Sequence, residues 1–165
     1  MNRMRVTDIM THMVVMLRPK DSIRAAAKSL LTNHISGAPV VEGGKLVGVV
    51  SEADLVRAYA PPECRGSPFM AMSPLMFLLR GVPPRDVHAT TVSDVMTTDV
   101  VSTSPDASVS EAASLIDHHG VRRLPVVDRD GYVVGVVARS DLVRSMVRSD
   151  RGSVPSPIRL DSGDE

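Results

Sequence analysis

The chain has almost no aromatic residues. Two Phe, two Tyr and no Trp make up 2% of its 165 positions. So few rings argue against the stacking platforms that grip single-stranded nucleic acid. A ligand here has to sit against aliphatic side chains. Net charge is missing as well, because 19 Lys and Arg balance 19 Asp and Glu. That balance argues against a broad electrostatic surface for nucleic acid. Cysteine is reduced to Cys64, which excludes an intramolecular disulfide and zinc held by paired thiolates. No Cys-His-Asn set surrounds it, so Cys64 reads as a linker thiol. Long apolar runs are also lacking. The longest, Phe69 to Leu79, contains Pro74 and falls short of the ~20 residues that span a bilayer. The N-terminus has no continuous apolar signal region. The expected setting is cytoplasmic, with neither membrane nor nucleic acid as a partner.

What the chain does have is a repeat. Val6-Thr7-Asp8-Ile9-Met10-Thr11 returns as Val92-Ser93-Asp94-Val95-Met96-Thr97. Ala38-Pro39-Val40-Val41 returns at the same interval as Leu124-Pro125-Val126-Val127. Gly48-Val49-Val50-Ser51-Glu52-Ala53-Asp54-Leu55-Val56-Arg57 returns, one position later, as Gly135-Val136-Val137-Ala138-Arg139-Ser140-Asp141-Leu142-Val143-Arg144. An internal repeat fixes architecture before any single residue is interpreted. It predicts two copies of one small α/β unit, α+β in content, facing each other across two-fold related clefts. Residues 1–60 and 92–150 are the expected repeats. Residues 61–91 form a linker, and the polar 151–165 form a tail rich in Pro, Ser, Gly and Asp. Met70, Met72, Leu75, Met76, Leu78 and Leu79 make the linker too apolar to be purely flexible. A short helix is expected near Pro74 to Arg80.

Each repeat reads as β-α-β-β-α. Extended runs, Met13 to Leu17 and Val100 to Thr103, lead into turns at Pro19 and Pro105. Ile23, Ala26, Ala27, Leu30 and Leu31 then recur at helical spacing, as do Val109, Ala112, Ala113 and Ile116. Ser108 and Glu111 have the spacing of a capping box, and Ser22 can cap the first copy. Short strands 38–41 and 124–127 pair through turns with strands 46–50 and 133–137. A second helix starts near Glu52 and near Arg139.

The strand-to-helix turn from Gly48 to Asp54 is the sharpest local feature. A glycine on the strand allows a ligand close to the backbone. A hydroxyl at a helix start, with free N–H groups, suits a phosphate. A carboxylate one turn deeper can accept two hydrogen bonds from a ribose diol. The plainer alternative is that Ser51 caps the helix and Asp54 is a first-turn acid.

These blocks together resemble a tandem pair of CBS domains, the small regulatory repeat named after cystathionine β-synthase. Gly48, Ser51 and Asp54 match the family's Gly-h-x-Thr/Ser-x-x-Asp pattern. Ile35 to Val41 and Val121 to Asp128 match its h-x-x-h-Pro-Val-Val-Asp stretch. The likeness covers about Val6 to Tyr59 and Val92 to Val147. It implies adenosine-containing ligands (AMP, ADP, ATP or S-adenosylmethionine) in clefts that join the motif of one repeat to the first strand of the other. The first cleft would use Ser51, Asp54 and Val49 with Thr97, Val101, Leu124 and a phosphate-facing Arg123. The second would use Asp141 with Thr11, Val15, Ser36 and Ala38, and with Arg122 and Arg139 near its phosphate. Ala138 stands where the pattern has Thr or Ser, which predicts unequal clefts with the first more nucleotide-like.

The functional expectation is a non-catalytic sensor. No nucleophile-base-orienter set can be assembled, and there is no Walker loop. No metal and no required cofactor are expected; His118 and His119 sit at a helix end without a third ligand at suitable spacing. A nucleotide would bridge the repeats and shift their arrangement, read by an unidentified regulated protein or a second protomer. A homodimer is expected through Leu55, Val56, Tyr59, Leu142, Val143 and Met146 on the second helices. The alternative is a structural interaction module with vestigial, unliganded clefts.

Overall fold

The structure, a computed structural model, describes residues 4–59 and 90–149. The side chains of Tyr59, Arg148 and Ser149 lie outside that description, as do Cys64, the helix expected near 74–80 and the tail. The first repeat contains α1 (Ile23–Thr32), β1 (Gly37–Glu42), β2 (Lys45–Ser51) and α2 (Glu52–Tyr59). The second contains α3 (Val109–His118), β3 (Arg123–Val127), β4 (Val133–Ala138) and α4 (Arg139–Ser149). A single 3-10 turn, Val6–Asp8 or Val92–Asp94, precedes each.

The helix starts follow the caps. Ser22 Oγ accepts from the Ala25 N–H at 3.1 Å. The Ser108 N–H donates to Glu111 Oε2 at 2.7 Å, and the Glu111 N–H donates back to Ser108 Oγ at 3.2 Å. Such caps contribute about 1 kcal/mol each. Ile23, Ala26 and Leu30 are buried, but Leu31 is 68% exposed. One residue past Leu30 is about 100° further round the helix, so the expected stripe was one position too wide.

The hairpins form with both strands antiparallel, Pro39 opposite Val49 and Pro125 opposite Val136. The first strand of each repeat is shorter than expected. Only Leu17 pairs with β1 and only Thr103 with β3, both in parallel. Proline explains both limits, because it has no N–H to give. The Leu17 N–H donates to Pro39 O at 3.0 Å and the Val41 N–H to Leu17 O at 2.8 Å. The next bond upstream would need an N–H on Pro39, and the next downstream one on Pro19. Pro125 and Pro105 impose the same limits around Thr103, whose N–H donates to Pro125 O at 3.0 Å.

The repeats exchange their leading segments. Val6 and Met10 pack into the core formed by Ala112, Ile116, Leu124, Val126, Val137 and Leu142. Val92 packs with Leu17, Ile23, Ala26, Leu30, Val40, Val50 and Leu55. The Val6 N–H donates to Ala107 O and the Val92 N–H to Asp21 O, both at 2.8 Å. Val6 and Val92 are fully buried, and each such valine contributes about 1.5–3 kcal/mol. Each sequence repeat is thus completed by a piece of the other. The turn that carries Val92 is fixed by Asp94, whose Oδ2 accepts from the N–H groups of Thr91 at 2.8 Å and Thr90 at 2.9 Å. Those bonds hold its carboxyl below the usual carboxylate range.

The hairpin tips meet on the pseudo-two-fold axis. Lys45 bridges Tyr132, with the Leu46 N–H donating to Gly131 O at 3.0 Å and the Lys45 ammonium 5.6 Å from the Tyr132 ring centre. The second helices do not expose all the residues expected of a dimer face. Leu55 and Leu142 are buried in the two cores. Val56, Val143, Met146 and Val147 are exposed.

Candidate functional site

Two cross-repeat seams bring the motif residues together. The N–H and C=O of Val49 exchange two hydrogen bonds with Thr97, both 2.9 Å. Thr11 and Val136 do the same at 2.9 and 3.0 Å. The seams therefore tie the strand that leads into the Ser51–Asp54 turn to Thr97, and the strand that leads into the Ala138–Asp141 turn to Thr11. Thr11 and Thr97 are exposed, while Val15, Val49 and Val101 are half-buried. Because Pro39 and Pro125 donate nothing, the Val15 and Val101 carbonyls have no backbone partner among the described residues.

Ser51 and Asp54 engage each other. The Ser51 hydroxyl donates to Asp54 Oδ2 at 2.6 Å, and the Ser51 N–H donates to the same oxygen at 2.8 Å. Arg57 donates to Oδ1 at 3.3 Å. The plain capping alternative is thus realised, yet the Asp54 side chain keeps 15% of its surface exposed. Asp141 repeats the pattern with one bond fewer. Its Oδ2 accepts the Ala138 N–H at 2.8 Å and its Oδ1 accepts from Arg144 at 3.2 Å. Its side chain is 13% exposed.

Arg123 crosses from the second repeat to the first. Its guanidinium donates to Gly37 O at 2.7 Å and to Ser36 Oγ. Ser36 O in turn accepts the Glu52 N–H at 3.0 Å, at the start of α2. Ser36, expected in the second cleft, is therefore found with Arg123 at the first. Burial pulls the Arg123 guanidinium below its usual pKa, against the opposing pull of the Glu52 carboxylate. Arg122 and Arg139 are exposed beside the start of α4. The Arg139 N–H donates to Arg122 O at 3.1 Å, and Arg139 Nε donates to Val121 O at 3.2 Å. Ala38 and Leu124 are corrections of another kind. Both are buried in the cores, so their side chains offer no surface to a ligand.

Gly48 also differs from its expected role. A Cβ there would lie 2.7 Å from Met96 Sδ and 3.1 Å from Thr97 O. A Cβ on Gly135 would lie 2.5 Å from Met10 Sδ. The glycines leave room for the other repeat's methionine. The sequence carries a signal for this, since Met10 and Met96 recur in the repeat just as the glycines they cover do. Arg57 and Arg144, which hold the two carboxylates, were also legible as part of the repeated Asp-Leu-Val-Arg block. Among the described residues no cluster of His, Cys, Asp or Glu could hold a metal ion, and no helix is long and apolar enough to cross a membrane.

Fold and seams define a class: a paired α+β module, each half completed by the other, with an acidic strand-to-helix turn at each seam. The chain belongs to the CBS domain family, whose model matches residues 6–61 and 92–148. A CBS domain-containing protein of Bacillus subtilis is 32% identical over 154 residues, covering 93% of this chain and 94% of the relative. CBSX2 of Arabidopsis thaliana, solved in complex with AMP, is 28% identical with a TM-score of 0.69, over 90% of this chain and 99% of that one. The CBS domain pair of protein MJ0100, solved with 5′-methylthioadenosine and S-adenosyl-L-methionine, is 26% identical with a TM-score of 0.65, over 86% and 98%.

Proposed function

We propose that this protein is a non-catalytic cytoplasmic sensor that binds an adenosine-containing ligand between its repeats. The observation that carries this is the pair of seams, in which the strands leading into the partly exposed carboxylates Asp54 and Asp141 bond to Thr97 and Thr11 of the other repeat. A ribose diol would donate to that carboxylate, which retains lone pairs beyond its present bonds. The adenine amino group would donate to the free Val15 or Val101 carbonyl. The aliphatic walls would take the ring, since the chain has few aromatics to stack on it. Solved relatives hold AMP, 5′-methylthioadenosine or S-adenosyl-L-methionine, which supports this ligand class. A bound ligand touches both repeats, so it stabilises whichever arrangement it binds better, and only by that difference. The exposed Val56, Val143, Met146 and Val147 form the face of a homodimer that passes the change on to a regulated protein.

One observation favours the second reading, a structural module with unliganded clefts: Ser51 and Asp54 already satisfy each other. Thermal melting of nucleotide-free protein separates the two. A ligand at 100 times its dissociation constant stabilises by about 2.7 kcal/mol, a shift of several degrees. AMP, ATP, 5′-methylthioadenosine and S-adenosylmethionine are the probes. A shift with at least one supports the sensor; no shift with any of them leaves the structural module.

A further inference from the structure

We propose that the two clefts sort ligands by charge, the Asp141 cleft taking a polyphosphorylated nucleotide and the Asp54 cleft an adenosine compound of low or positive charge. This rests on the clefts being adenosine sites at all. The repeats are equivalent in backbone and in their paired Asp54–Arg57 and Asp141–Arg144 groups. They differ at the neighbouring positions. Where the first repeat has Ser36 and Glu52, the second has Arg122 and Arg139.

These positions border the helix starts in both halves. The Glu52 N–H bonds to Ser36 O, and the Arg139 N–H bonds to Arg122 O. At the first start, Arg123 is half-buried, bonded to Ser36 and Gly37, and faced by the Glu52 carboxylate. Arg123 and Glu52 border that start, and the Arg122 charge also acts on Arg123 from the second repeat. At the second, the Arg122 side chain makes no hydrogen bond or ion pair among the described residues, and Arg139 uses only Nε, on a carbonyl. None of Arg122, Arg139 and Arg123 has a carboxylate within salt-bridge distance among the described residues, so the two helix starts differ in which charges border them and not in ion pairing. Two exposed cations with unused N–H groups therefore border the start of α4, joined there by the Arg139 N–H to Arg122 O bond, and guanidinium forks match phosphate oxygens two at a time. The hydroxyl that Ala138 lacks weighs little against them, because its counterpart on Ser51 is already donated to Asp54. The pattern expectation of a more nucleotide-like first cleft is reversed by the charges around it.

Calorimetric titration of the nucleotide-free full chain with ATP, and separately with 5′-methylthioadenosine, tests the division. Wild type binds one ATP per chain tightly, and raising salt weakens ATP far more than 5′-methylthioadenosine. Arg122→Ser with Arg139→Glu weakens ATP at least tenfold. Glu52→Arg raises the tight ATP stoichiometry from one to two. The three substituted positions, Glu52, Arg122 and Arg139, are exposed, and circular dichroism checks that the variants fold. Wild type taking two equal ATP, or the double variant binding ATP as wild type does, overturns the charge division while leaving the adenosine sites standing. Wild type binding neither probe overturns both.

Discussion

Replacing Gly48 with alanine probes what holds the two repeats together. The new Cβ would lie 2.7 Å from Met96 Sδ and 3.1 Å from both Met96 Cγ and Thr97 O. Comfortable contacts are about 3.5–4.0 Å, so the thioether has to move by roughly 1 Å. The methionine can swing, but the Thr97 carbonyl cannot retreat freely. It accepts the Val49 N–H at 2.9 Å, half of the seam. Overpacking of this kind costs about 1–3 kcal/mol. Restricting the unfolded chain offsets about 0.4–1 kcal/mol of that, which leaves a net loss of about 1.3 kcal/mol at mid-range and at most about 2.6 kcal/mol. Urea denaturation should show a lower midpoint at unchanged slope. Met96→Ala removes the obstacle, so the double variant should be more stable than the summed single effects by at least ~0.5 kcal/mol. Gly48→Ala matching wild type, or additivity of the two changes, would refute the claim that this glycine exists to admit the other repeat's methionine.

His34 ends α1 at φ 52°, where the second repeat has Gly120 at φ 63°. Left-handed backbone costs a side chain roughly 1 kcal/mol, so His34→Gly should raise the melting temperature by about 2–4 °C; no rise would mean the position carries no strain. Val143→Glu with Met146→Glu places charge on an exposed apolar face of α4 and should convert a dimer to a folded monomer in sedimentation velocity. A wild type that is already monomeric at micromolar concentration would overturn the dimer.

Local chemistry was legible in the chain. The capping Ser108–Glu111 pair, the hairpins and the helical stripes depend on residues a few positions apart, and they formed where the spacing placed them except at Leu31, which turned out to solvent. Even the proline limits on the first strands were written in the sequence, at Pro19, Pro39, Pro105 and Pro125. What could not be read was which carbonyl each missing N–H would fail to meet, because that depends on the partner strand. The same holds for the site. The repeated Gly and Asp marked the right turns, but their tasks came from distant neighbours: Met96 over Gly48, Arg123 across to Ser36 and Gly37.

The sequence by itself determined that one half-module occurs twice, where its helices and hairpins begin and end, and which carboxylates recur. Only the tertiary structure decided that the halves trade their first segments, that Leu55 and Leu142 turn inward while Val143 and Met146 stay out, and that Arg123 crosses to Ser36 and Gly37 while Arg122 and Arg139 stay exposed at the start of α4. Periodicity and turn preference act within a few residues, whereas burial and charge pairing depend on contacts between segments far apart in the chain.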